Sequence, residues 1–349
     1  MTILITGGAG FIGSNTLIYL FEKYPEYRFT VLDALTYAGD LRSIPKHILS
    51  SPRFFFVYGD VRNAKVVDHF VEKSDVVIHF AAETHVSRSI YDDANFFETD
   101  VIGTQRVSTA VLNNKNKIKR FIHISTSEVY GTAITDSMDE NHPLIPQSPY
   151  AAAKAGADRL VNAYYITYKI PSVIVRPFNM YGPRQHLEKV VPRFITSKIL
   201  GEKLTIHGTG ESKRDYTYVT DLAHALDLII HAPKEKVEGE IFNVGASHDI
   251  SIKEIADRVI AYMDGDGEQN QIEFSPFTVL MSDRPGQVFR HTANTNKIKS
   301  VLGWEPRVSF EDGLRETIEW YKANREWWDN KLWLRHVPIE TAEGKIEYH

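Results

Sequence analysis

The N-terminal segment constrains the fold of this chain more than any other stretch. An apolar run over residues 2–6 leads into glycine-rich residues 7–13, a helical pattern over residues 14–24, and a second apolar run that ends in Asp33. Glycines in such a loop permit a tight turn, let the backbone approach a pyrophosphate, and let the helix pack closely on the strand. The pyrophosphate then lies at a helix N-terminus, whose unpaired N–H groups favour an anion. This order of elements predicts a Rossmann dinucleotide-binding unit.

The acidic residue at the end of the second strand indicates which dinucleotide binds. Asp33 stands twenty residues after Gly13, where a carboxylate hydrogen-bonds a ribose 2′-hydroxyl and repels a 2′-phosphate. We therefore predict NAD, rather than NADP, as the cofactor. Its contacts in this unit are expected at Asp33 and along the loop, at Gly7, Gly10, Phe11, Ile12 and Gly13.

Strand-like and helix-like segments continue to alternate through the first half of the chain. Apolar runs occupy residues 54–57, 76–82 and 121–125, and a helical pattern covers about residues 95–114. Continuous apolar strands separated by helices are typical of a parallel sheet that is buried on both faces. We predict an α/β fold with a doubly wound parallel Rossmann sheet and a smaller C-terminal α/β substrate-binding domain.

The expected domain boundaries follow from the same alternation. Residues 1–175 are predicted to form the NAD-binding domain, which also carries the catalytic residues. Residues 176–330 mainly form the substrate-binding domain, with some segments returning to the Rossmann sheet, and residues 331–349 form a C-terminal tail. Because ligands bind such sheets at the carboxyl ends of the strands, the polar groups at those ends are the candidates for function.

Two groups of polar residues are candidates for catalysis. The fifth strand ends in Thr126, Ser127 and Glu128, which supply two hydroxyls and a carboxylate. Tyr150 and Lys154 lie four residues apart, on one face of a predicted helix. A free tyrosine has a pKa of about 10, and we expect the lysine ammonium to lower this pKa so that the phenolate can accept an alcohol proton. A nicotinamide would take the hydride from the same carbon.

The Tyr-x-x-x-Lys spacing occurs three times, because it is also present at Tyr19/Lys23 and Tyr165/Lys169. Spacing alone does not separate a catalytic pair from a solvated pair on a helix. The pair at Tyr150 is set apart by the NAD-binding unit and by residues 126–128, which the predicted fold brings to the same edge of the sheet.

Composition excludes several other classes of function. The chain of 349 residues has no cysteine, so disulfides and cysteine catalysis are unavailable. Its net charge is 40 − 45 = −5, without a basic stripe of the kind that binds nucleic acid. We find no metal-binding spacing among its 14 histidines, and no apolar run approaches the ~20 residues of a membrane span. Because the sequence begins directly with a strand, we expect no signal peptide and a cytoplasmic enzyme.

The motifs together resemble the extended short-chain dehydrogenase/reductase superfamily, and within it the nucleotide-sugar 4,6-dehydratases, most closely those that act on dTDP-glucose. The resemblance covers residues 2 to about 325. It is carried by Thr6-Gly7-x-x-Gly10-x-x-Gly13, Asp60-Val61, residues 81–90, Ser125-Thr126, Tyr150-x-x-x-Lys154, and residues 176–183, 214–219 and 283–286.

The resemblance implies further contacts. NAD would also touch Asp60, Val61, Ala81, Ala82, Tyr150 and Lys154. The substrate, a nucleoside-diphosphate sugar, would touch His85, Thr126, Asn179, Lys189, Val190, Arg214 and Arg290, with an arginine gripping the diphosphate. The resemblance also implies a homodimer with a four-helix bundle at its interface, built by helices near residues 95–114 and 150–168. It implies no metal, nucleic acid or membrane partner.

The activity that the resemblance implies is that of an NAD-dependent lyase. Tyr150, assisted by Lys154, would remove the 4-hydroxyl proton of the sugar while NAD takes the hydride from C4, and Thr126 would hydrogen-bond the C4 oxygen. Glu128 would then remove the C5 proton, which the C4 ketone has acidified. Water would leave from C6, and the hydride would return to C6.

One residue departs from the pattern of the dTDP-glucose enzymes. They have Thr-Asp-Glu, whose aspartate protonates the departing C6 hydroxyl, and this chain has Ser127 at that position. A serine hydroxyl is far too weak an acid to replace a carboxylic acid. Either Glu128 itself relays a proton, through Ser127 or a water, or the reaction needs no acid at C6.

Thr-Ser-Glu is also typical of UDP-glucuronate decarboxylases and of some UDP-N-acetylglucosamine dehydratases, so both activities stay open. A decarboxylase would need a cation for the substrate carboxylate near Glu128, and Arg88 is a candidate. A 4-epimerase is disfavoured, because epimerisation at C4 needs no C5 base. A catalytically silent NAD-binding scaffold is disfavoured by the intact Tyr150/Lys154 pair. The base and the sugar of the substrate are left undetermined.

Overall fold

The computed structural model describes residues 1–265, 277–281 and 290–336, and the backbone of residues 338–340 and 346–348. Residues 283–286, one of the stretches that carry the resemblance, lie outside the described residues. The described strands are β1 Thr2–Thr6, β2 Arg28–Asp33, β3 Phe54–Tyr58, β4 Val76–His79, β5 Arg120–Ile124, β6 Ser172–Pro177, β7 Asn179–Tyr181, β8 Leu204–His207, β9 Lys213–Tyr218, β10 Ile241–Val244, β11 Asp249–Ser251, β12 Thr278–Met281, β13 Arg290–His291, β14 Pro338–Glu340 and β15 Ile346–Tyr348.

The helices connect these strands and cover their faces. The α-helices are α1 Phe11–Lys23, α2 Lys46–Leu49, α3 Ala64–Glu72, α4 Val86–Tyr91, α5 Asp93–Phe96, α6 Thr104–Asn113, α7 Pro149–Tyr168, α8 Val190–Leu200, α9 Val219–His231, α10 Lys234–Val237, α11 Ile252–Asp264, α12 Asn296–Leu302, α13 Phe310–Ala323 and α14 Arg325–Trp328. Turns of 3₁₀ helix cover Leu41–Ser43, Ser127–Tyr130 and Asp329–Leu334. No helix in the described part of the chain is long and apolar enough to cross a bilayer.

The main sheet has seven strands in the order β10-β6-β5-β4-β1-β2-β3, and every neighbouring pair is parallel. Side chains of successive residues point to opposite faces of a strand. Ile3 and Ile5 of β1 accordingly pack with Leu17 of α1 and Leu226 of α9, whereas Leu4 packs on the other face, in a core that includes α3, α6 and α7. Burial on both faces explains the continuous apolar runs and confirms the predicted doubly wound sheet.

The second half of the chain builds smaller sheets around a separate core. Strand β9 pairs with β11 antiparallel and with β13 and β7 parallel, and β12 pairs with β8. Phe194 of α8, Tyr216 of β9, Val259 of α11, Leu314 of α13 and Trp328 of α14 belong to this core. The chain returns to the main sheet with β10, which pairs with β6.

The helix predicted over about residues 95–114 contains an irregularity that periodicity did not indicate. A seven-residue π-helical segment, Phe97–Gly103, lies between α5 and α6. Within it Asp100 is buried, and its Oδ1 accepts a hydrogen bond from the backbone N–H of Glu83 at 2.8 Å. Such segments are frequent at functional sites. Here the segment places the carboxylate of Asp100 against the backbone of Glu83, shortly after the end of β4.

Candidate functional site

A cavity of about 330 Å³ lies at the carboxyl edge of the main sheet, where ligands of doubly wound folds bind. All of the predicted cofactor and catalytic residues line it, and three of the predicted substrate residues do so as well. They are Gly7, Gly10, Phe11, Ile12, Gly13, Asp33, Asp60, Val61, Ala81, Ala82, Thr126, Ser127, Glu128, Tyr150, Lys154, Asn179 and Lys189. The fold therefore brings together, in one cavity, residues that lie as far apart in the sequence as Gly7 and Lys189.

The glycine loop after β1 leaves no room for side chains. Gly7 has a φ of +71°, and a Cβ added to it would lie 2.6 Å from the backbone nitrogen of Ala81. A Cβ added to Gly13 would lie 2.3 Å from the carbonyl oxygen of Gly7. Only glycine allows α1 to start this close to the strand. The start of α1 thus presents bare backbone to the cavity, which suits a pyrophosphate.

Asp33 is fixed at the end of β2 by two backbone donors. Its Oδ2 accepts from the N–H of Ala9 and its Oδ1 from the N–H of Leu35, both at 2.8 Å. Burial raises the pKa of Asp33, and these two hydrogen bonds oppose that rise. Each carboxylate oxygen keeps a further lone pair for a ribose hydroxyl. The glycine loop and this carboxylate together fit NAD.

The sequence of α7 explains how Tyr150 and Lys154 are placed. The helix begins at Pro149, and the side chain of Ser148 caps it by accepting from the N–H of Ala151 at 3.2 Å. Both Tyr150 and Lys154 are buried and face the cavity. The Lys154 ammonium donates to the carbonyl oxygen of Ile124 at 2.7 Å.

The predicted effect of Lys154 on Tyr150 is not found in the chain itself. Burial raises the pKa of Tyr150, the hydrogen bond with Thr126 lowers it, and the carboxylates of Asp100 and Glu128 raise it further. The ammonium of Lys154 is bonded to a carbonyl and is attracted to Asp100, while burial lowers its own pKa. The net shift of the pKa of Tyr150 is upward. A positive charge close to the phenolate acts in the opposite direction.

The other two Tyr-x-x-x-Lys pairs have structural roles. Lys23 forms an ion pair with Asp227, and its ammonium lies 5.5 Å from the centre of the Tyr19 ring. The ammonium of Lys169 lies 4.9 Å from the centre of the Tyr165 ring on α7. Neither pair lines the cavity.

Thr126, Ser127 and Glu128 follow β5 in a tight turn. The hydroxyl of Thr126 accepts from the N–H of Glu128 at 3.2 Å and so starts the 3₁₀ helix Ser127–Tyr130. Ser127 is buried, whereas the Glu128 side chain is 22% exposed and reaches the cavity. The phenol of Tyr150, from α7, and the carboxylate of Glu128, from the turn after β5, thus line the same cavity.

Four of the predicted substrate residues do not line the cavity. His85 is buried and caps α4, where its Nδ1 accepts from the N–H of Arg88 at 3.3 Å. Val190 is the first residue of α8. The preceding residue, Lys189, does line the cavity, and its ammonium donates to the carbonyl oxygen of Thr84 at 3.0 Å.

The two predicted diphosphate-binding arginines lie on neighbouring strands outside the cavity lining. Arg214 of β9 is buried and donates to the carbonyl oxygen of Lys213 at 2.9 Å. Arg290 of β13 pairs with Asp249 at 2.8 Å and with Asp136 at 3.4 Å. In the sheet Arg290 is paired with Lys213, whereas Arg214 is paired with His291. The two arginines therefore occupy neighbouring register positions on opposite faces of the sheet. Their contact with a substrate stays a prediction.

Sequence reasoning missed an acidic cluster, formed by Glu188 and Glu83, in the lining of the cavity. Glu188 is buried, pairs with Arg88 at 3.0 Å and accepts from the hydroxyl of Tyr37 at 3.1 Å. Burial opposes ionisation, but His85, His186, Lys189 and Arg88 together lower the pKa of Glu188 to about 2. The guanidinium of Arg88 is therefore engaged in an ion pair with Glu188. No local pattern in the sequence indicated that Glu188 pairs with a residue one hundred positions earlier in the chain.

Glu83 is a second carboxyl that the sequence did not single out. It lines the cavity, and burial raises its pKa to about 7, with the charge of Glu188 adding to that rise. Arg88 and Arg62 lower it in part. Its only sequence signal was its place directly after Ala81-Ala82, at the end of β4. Among the described side chains, no cluster of three or more His, Cys, Asp or Glu could hold a metal ion.

Comparison with known proteins finds close similarity over almost the whole chain. The family model described as GDP-mannose 4,6 dehydratase matches residues 4–317. The low-salt glycan biosynthesis protein Agl12 of Haloferax volcanii is 41% identical over 326 residues, which are 93% of this chain and 100% of that protein. The dTDP-glucose 4,6-dehydratase of Streptomyces niveus is 39% identical over 333 residues, 94% of this chain and 95% of that protein.

A solved structure extends this similarity to three dimensions. The dTDP-glucose 4,6-dehydratase DesIV of Streptomyces venezuelae, crystallised with NAD bound, superimposes with a TM-score of 0.87 and is 36% identical. The match covers 95% of this chain and 99% of that one. The fold, including the cofactor-binding half, is therefore shared with an NAD-containing dehydratase.

Proposed function

This chain belongs to the GDP-mannose 4,6 dehydratase family, and from that premise we propose that it removes water from dTDP-glucose or UDP-glucose to give the 4-keto-6-deoxy sugar. It is an NAD-dependent lyase of the extended short-chain dehydrogenase/reductase type, as the sequence predicted. The observation that carries the reaction is that Tyr150, Lys154 and Glu128 line the same cavity as the glycine loop. An alcohol oxidation alone would need no second base there.

The proposed roles follow from where each side chain lies. When bound, NAD supplies a hydride acceptor for C4 that later returns the hydride to C6, and its positively charged ring adds the charge that favours a phenolate at Tyr150. Tyr150 removes the proton from the 4-hydroxyl, and Lys154 holds the helix against β5 through Ile124. Thr126, which already hydrogen-bonds Tyr150, orients the C4 oxygen.

Glu128 supplies the second proton transfer. A ketone at C4 acidifies the C5 hydrogen, and the carboxylate of Glu128 removes it. Ser127 is buried beside it and offers only a hydroxyl, so we assign the proton for the departing C6 hydroxyl to Glu128 as well. Gly7, Gly13 and Asp33 would hold the cofactor, since they form the bare loop and the fixed carboxylate at the opposite end of the cavity.

A decarboxylase is the second candidate, and the position of Arg88 bears on it. A substrate carboxylate would need a cation near Glu128. Arg88 instead forms an ion pair with Glu188 and stacks over the ring of Tyr37, with 4.2 Å between its guanidinium carbon and the ring centre. This pairing supports the dehydratase.

The substrate test is an incubation of the purified protein with dTDP-glucose, UDP-glucose, UDP-N-acetylglucosamine and UDP-glucuronate, followed by mass spectrometry of each product. We expect dTDP-glucose or UDP-glucose to lose the mass of one water. Loss of carbon dioxide from UDP-glucuronate alone would make the chain a decarboxylase. An unchanged mass with an inverted C4 centre would make it an epimerase.

We also propose a homodimer that forms through the helices of Asp93–Asn113 and α7, in a cytoplasmic enzyme. Large apolar side chains on these helices are exposed in the single chain, among them Phe97, Ile102 and Ile166. Exposed apolar groups of this kind favour an interface. Light scattering is expected to give twice the mass of the chain, and Ile102→Glu to give a monomer. A monomeric wild-type protein would contradict the dimer.

A further inference from the structure

A buried histidine of β13 stands behind the proposed C5 base. His291 is completely buried, and its Nε2 lies 2.6 Å from the carbonyl oxygen of Gly131. A carbonyl oxygen can only accept a hydrogen bond, so Nε2 must carry the proton. In neutral His291 the other nitrogen, Nδ1, therefore presents a lone pair. Nδ1 has no hydrogen-bond partner among the described residues, and it lies 3.8 Å from Oε1 of Glu128.

The surroundings of His291 keep its ring neutral. Burial lowers its pKa, and the positive charge of Arg214 on β9 and the neighbouring His142 lower it further, while the carboxylate of Glu128 and the carbonyl of Gly131 raise it. The net shift is downward. The ring of Phe178 packs edge-on against the imidazole, with 6.4 Å between ring centres. A neutral imidazole thus turns a lone pair toward a carboxylate, in a place that the main-chain bond to Gly131 fixes.

This arrangement distinguishes between the two protonation states of Glu128. A lone pair and a carboxylate oxygen offer each other no hydrogen, and their separation of 3.8 Å exceeds hydrogen-bond distance. A protonated Glu128 would have an O–H to donate to Nδ1, and a shift of less than about 1 Å would bring the two atoms to bonding distance. A buried, unpartnered acceptor gains most from such a bond.

We propose that His291 is a positioning residue that holds Glu128 in its protonated form after the C5 proton has been taken, so that Glu128 can serve as the acid for the C6 hydroxyl in place of the carboxyl that Ser127 lacks. This inference rests on the dehydratase function proposed above. It assigns both proton transfers of the elimination to one carboxyl group, with the histidine as the acceptor that keeps the proton available between them.

The proton and the electrons balance in two steps. Glu128 takes the C5 hydrogen as a proton, and the C5–H electron pair enters the enolate formed with the C4 ketone. The enolate then collapses, the C4 carbonyl and a C5–C6 double bond form, and the C6–O bond breaks with its electron pair on oxygen. Glu128 returns its proton to that oxygen, water leaves, and the carboxylate again faces the lone pair of His291.

Two variants separate this role from a structural one. In His291→Gln an amide N–H can still donate to Gly131, but no acceptor stands at the place of Nδ1. In His291→Asn the amide oxygen can stand near the place of Nδ1, but the contact with Gly131 is lost. With the holoenzyme and dTDP-glucose and UDP-glucose as probes, we expect His291→Gln to lower the rate of water loss roughly 100-fold, at the lower end of the range for proton-transfer catalysis. His291→Asn is expected to retain more of this rate.

Reduction of the bound nicotinamide reports on the C4 step alone. We expect its rate in His291→Gln to match that of the wild type, because Tyr150 and Lys154 are untouched, so that reduced cofactor accumulates. A substrate carrying fluorine in place of the C6 hydroxyl provides the second readout. Fluoride departs with less help from an acid, so this substrate is expected to restore most of the rate lost in His291→Gln.

The outcomes are distinct. If His291→Gln turns over like the wild type, or slows nicotinamide reduction as much as water loss, His291 has no role in the proton transfer. If His291→Gln slows the reactions of the hydroxyl and fluoro substrates equally, the proposed role of His291 is also overturned. A wild-type protein that dehydrates neither sugar would instead refute the proposed function.

Discussion

The two ends of the cavity are built in different ways. At the cofactor end, Gly7, Gly13 and Asp33 come from one continuous stretch, and they act through shape, backbone N–H groups and a single fixed carboxylate. At the substrate end, Tyr150, Glu128 and their neighbours arrive from separate elements, and their chemistry depends on burial and on charges brought from far along the chain. The comparison teaches that binding of the cofactor is encoded locally, whereas reactivity is a property of the assembled fold.

The largest effect is expected from removing the phenol at the substrate end. Tyr150→Phe should lower turnover by roughly 10²–10⁴-fold, the usual contribution of a positioned acid or base, and should abolish reduction of bound nicotinamide. Rapid-mixing absorbance of the cofactor measures this directly. Tyr165→Phe, in the other Tyr-x-x-x-Lys pair of α7, is the matched control and should leave turnover unchanged. Equal losses of turnover in both variants would mean that the substitutions act by disturbing the packing of α7 and that Tyr150 transfers no proton.

A smaller effect is expected from filling the cofactor end. In Gly13→Ala the new Cβ meets the carbonyl oxygen of Gly7 at 2.3 Å, so the loop must shift. Overpacking of this kind costs about 1–3 kcal/mol, which would weaken NAD binding roughly 5- to 150-fold. The NAD content of the purified protein and titration calorimetry measure this loss.

A control for this variant lies in α7. In Gly156→Ala the added Cβ lies 3.5 Å from a side-chain carbon of Val101, an ordinary contact, so NAD binding should not change. If Gly13→Ala kept NAD as the wild type does, the shape of the loop would not govern cofactor binding, and the contrast between the two ends would fail.

The smallest effect is expected at the acidic cluster. Glu188→Gln keeps an oxygen that can accept from Arg88 and Tyr37 but loses the charge, so we expect the free energy of unfolding to fall by about 1 kcal/mol at neutral pH. The pKa of Glu188 is lowered from 4.5 to about 2 in the folded chain. Its stabilising effect is therefore complete above pH 4.5 and is lost as the pH falls toward 2.

Denaturant titrations over that pH range measure the difference between Glu188→Gln and the wild type. The difference should shrink as the solution becomes more acidic. Glu22→Gln, at an exposed pair with His47, serves as the control. A difference that stayed constant from pH 7 to below pH 3 would show that the charge of Glu188 does not stabilise the fold.

Much of the fold could be predicted because its signals are local. Apolar runs, the glycine loop and the alternation with helices indicated the parallel sheet, and the terminal carboxylate of β2 indicated NAD. The π-helical segment that carries Asp100 was missed, because its backbone is not distinguished by periodicity and the bond from Asp100 to Glu83 crosses two elements.

The candidate site could be predicted only in part, for a related physical reason. Spacing identified Tyr150 and Lys154, but the pKa of Tyr150 depends on desolvation and on Thr126, which the spacing does not report. His291 approaches Glu128 only because β13 pairs with β9, and Arg290 is drawn to Asp249 and Asp136 in the same region. A contact between residues more than one hundred positions apart in the sequence, such as that of Glu128 with His291, cannot be recognised from a local pattern.

The most direct test of the central claim, that a phenol and a carboxylate perform separate proton transfers in one cavity, is a single turnover of Glu128→Gln with the sugar nucleotide that the wild type dehydrates. Absorbance of the bound nicotinamide and the mass of the sugar are followed together. We predict that the nicotinamide becomes reduced at the wild-type rate while the sugar loses no water. Normal release of water by this variant, or a failure to reduce the nicotinamide, would contradict the account.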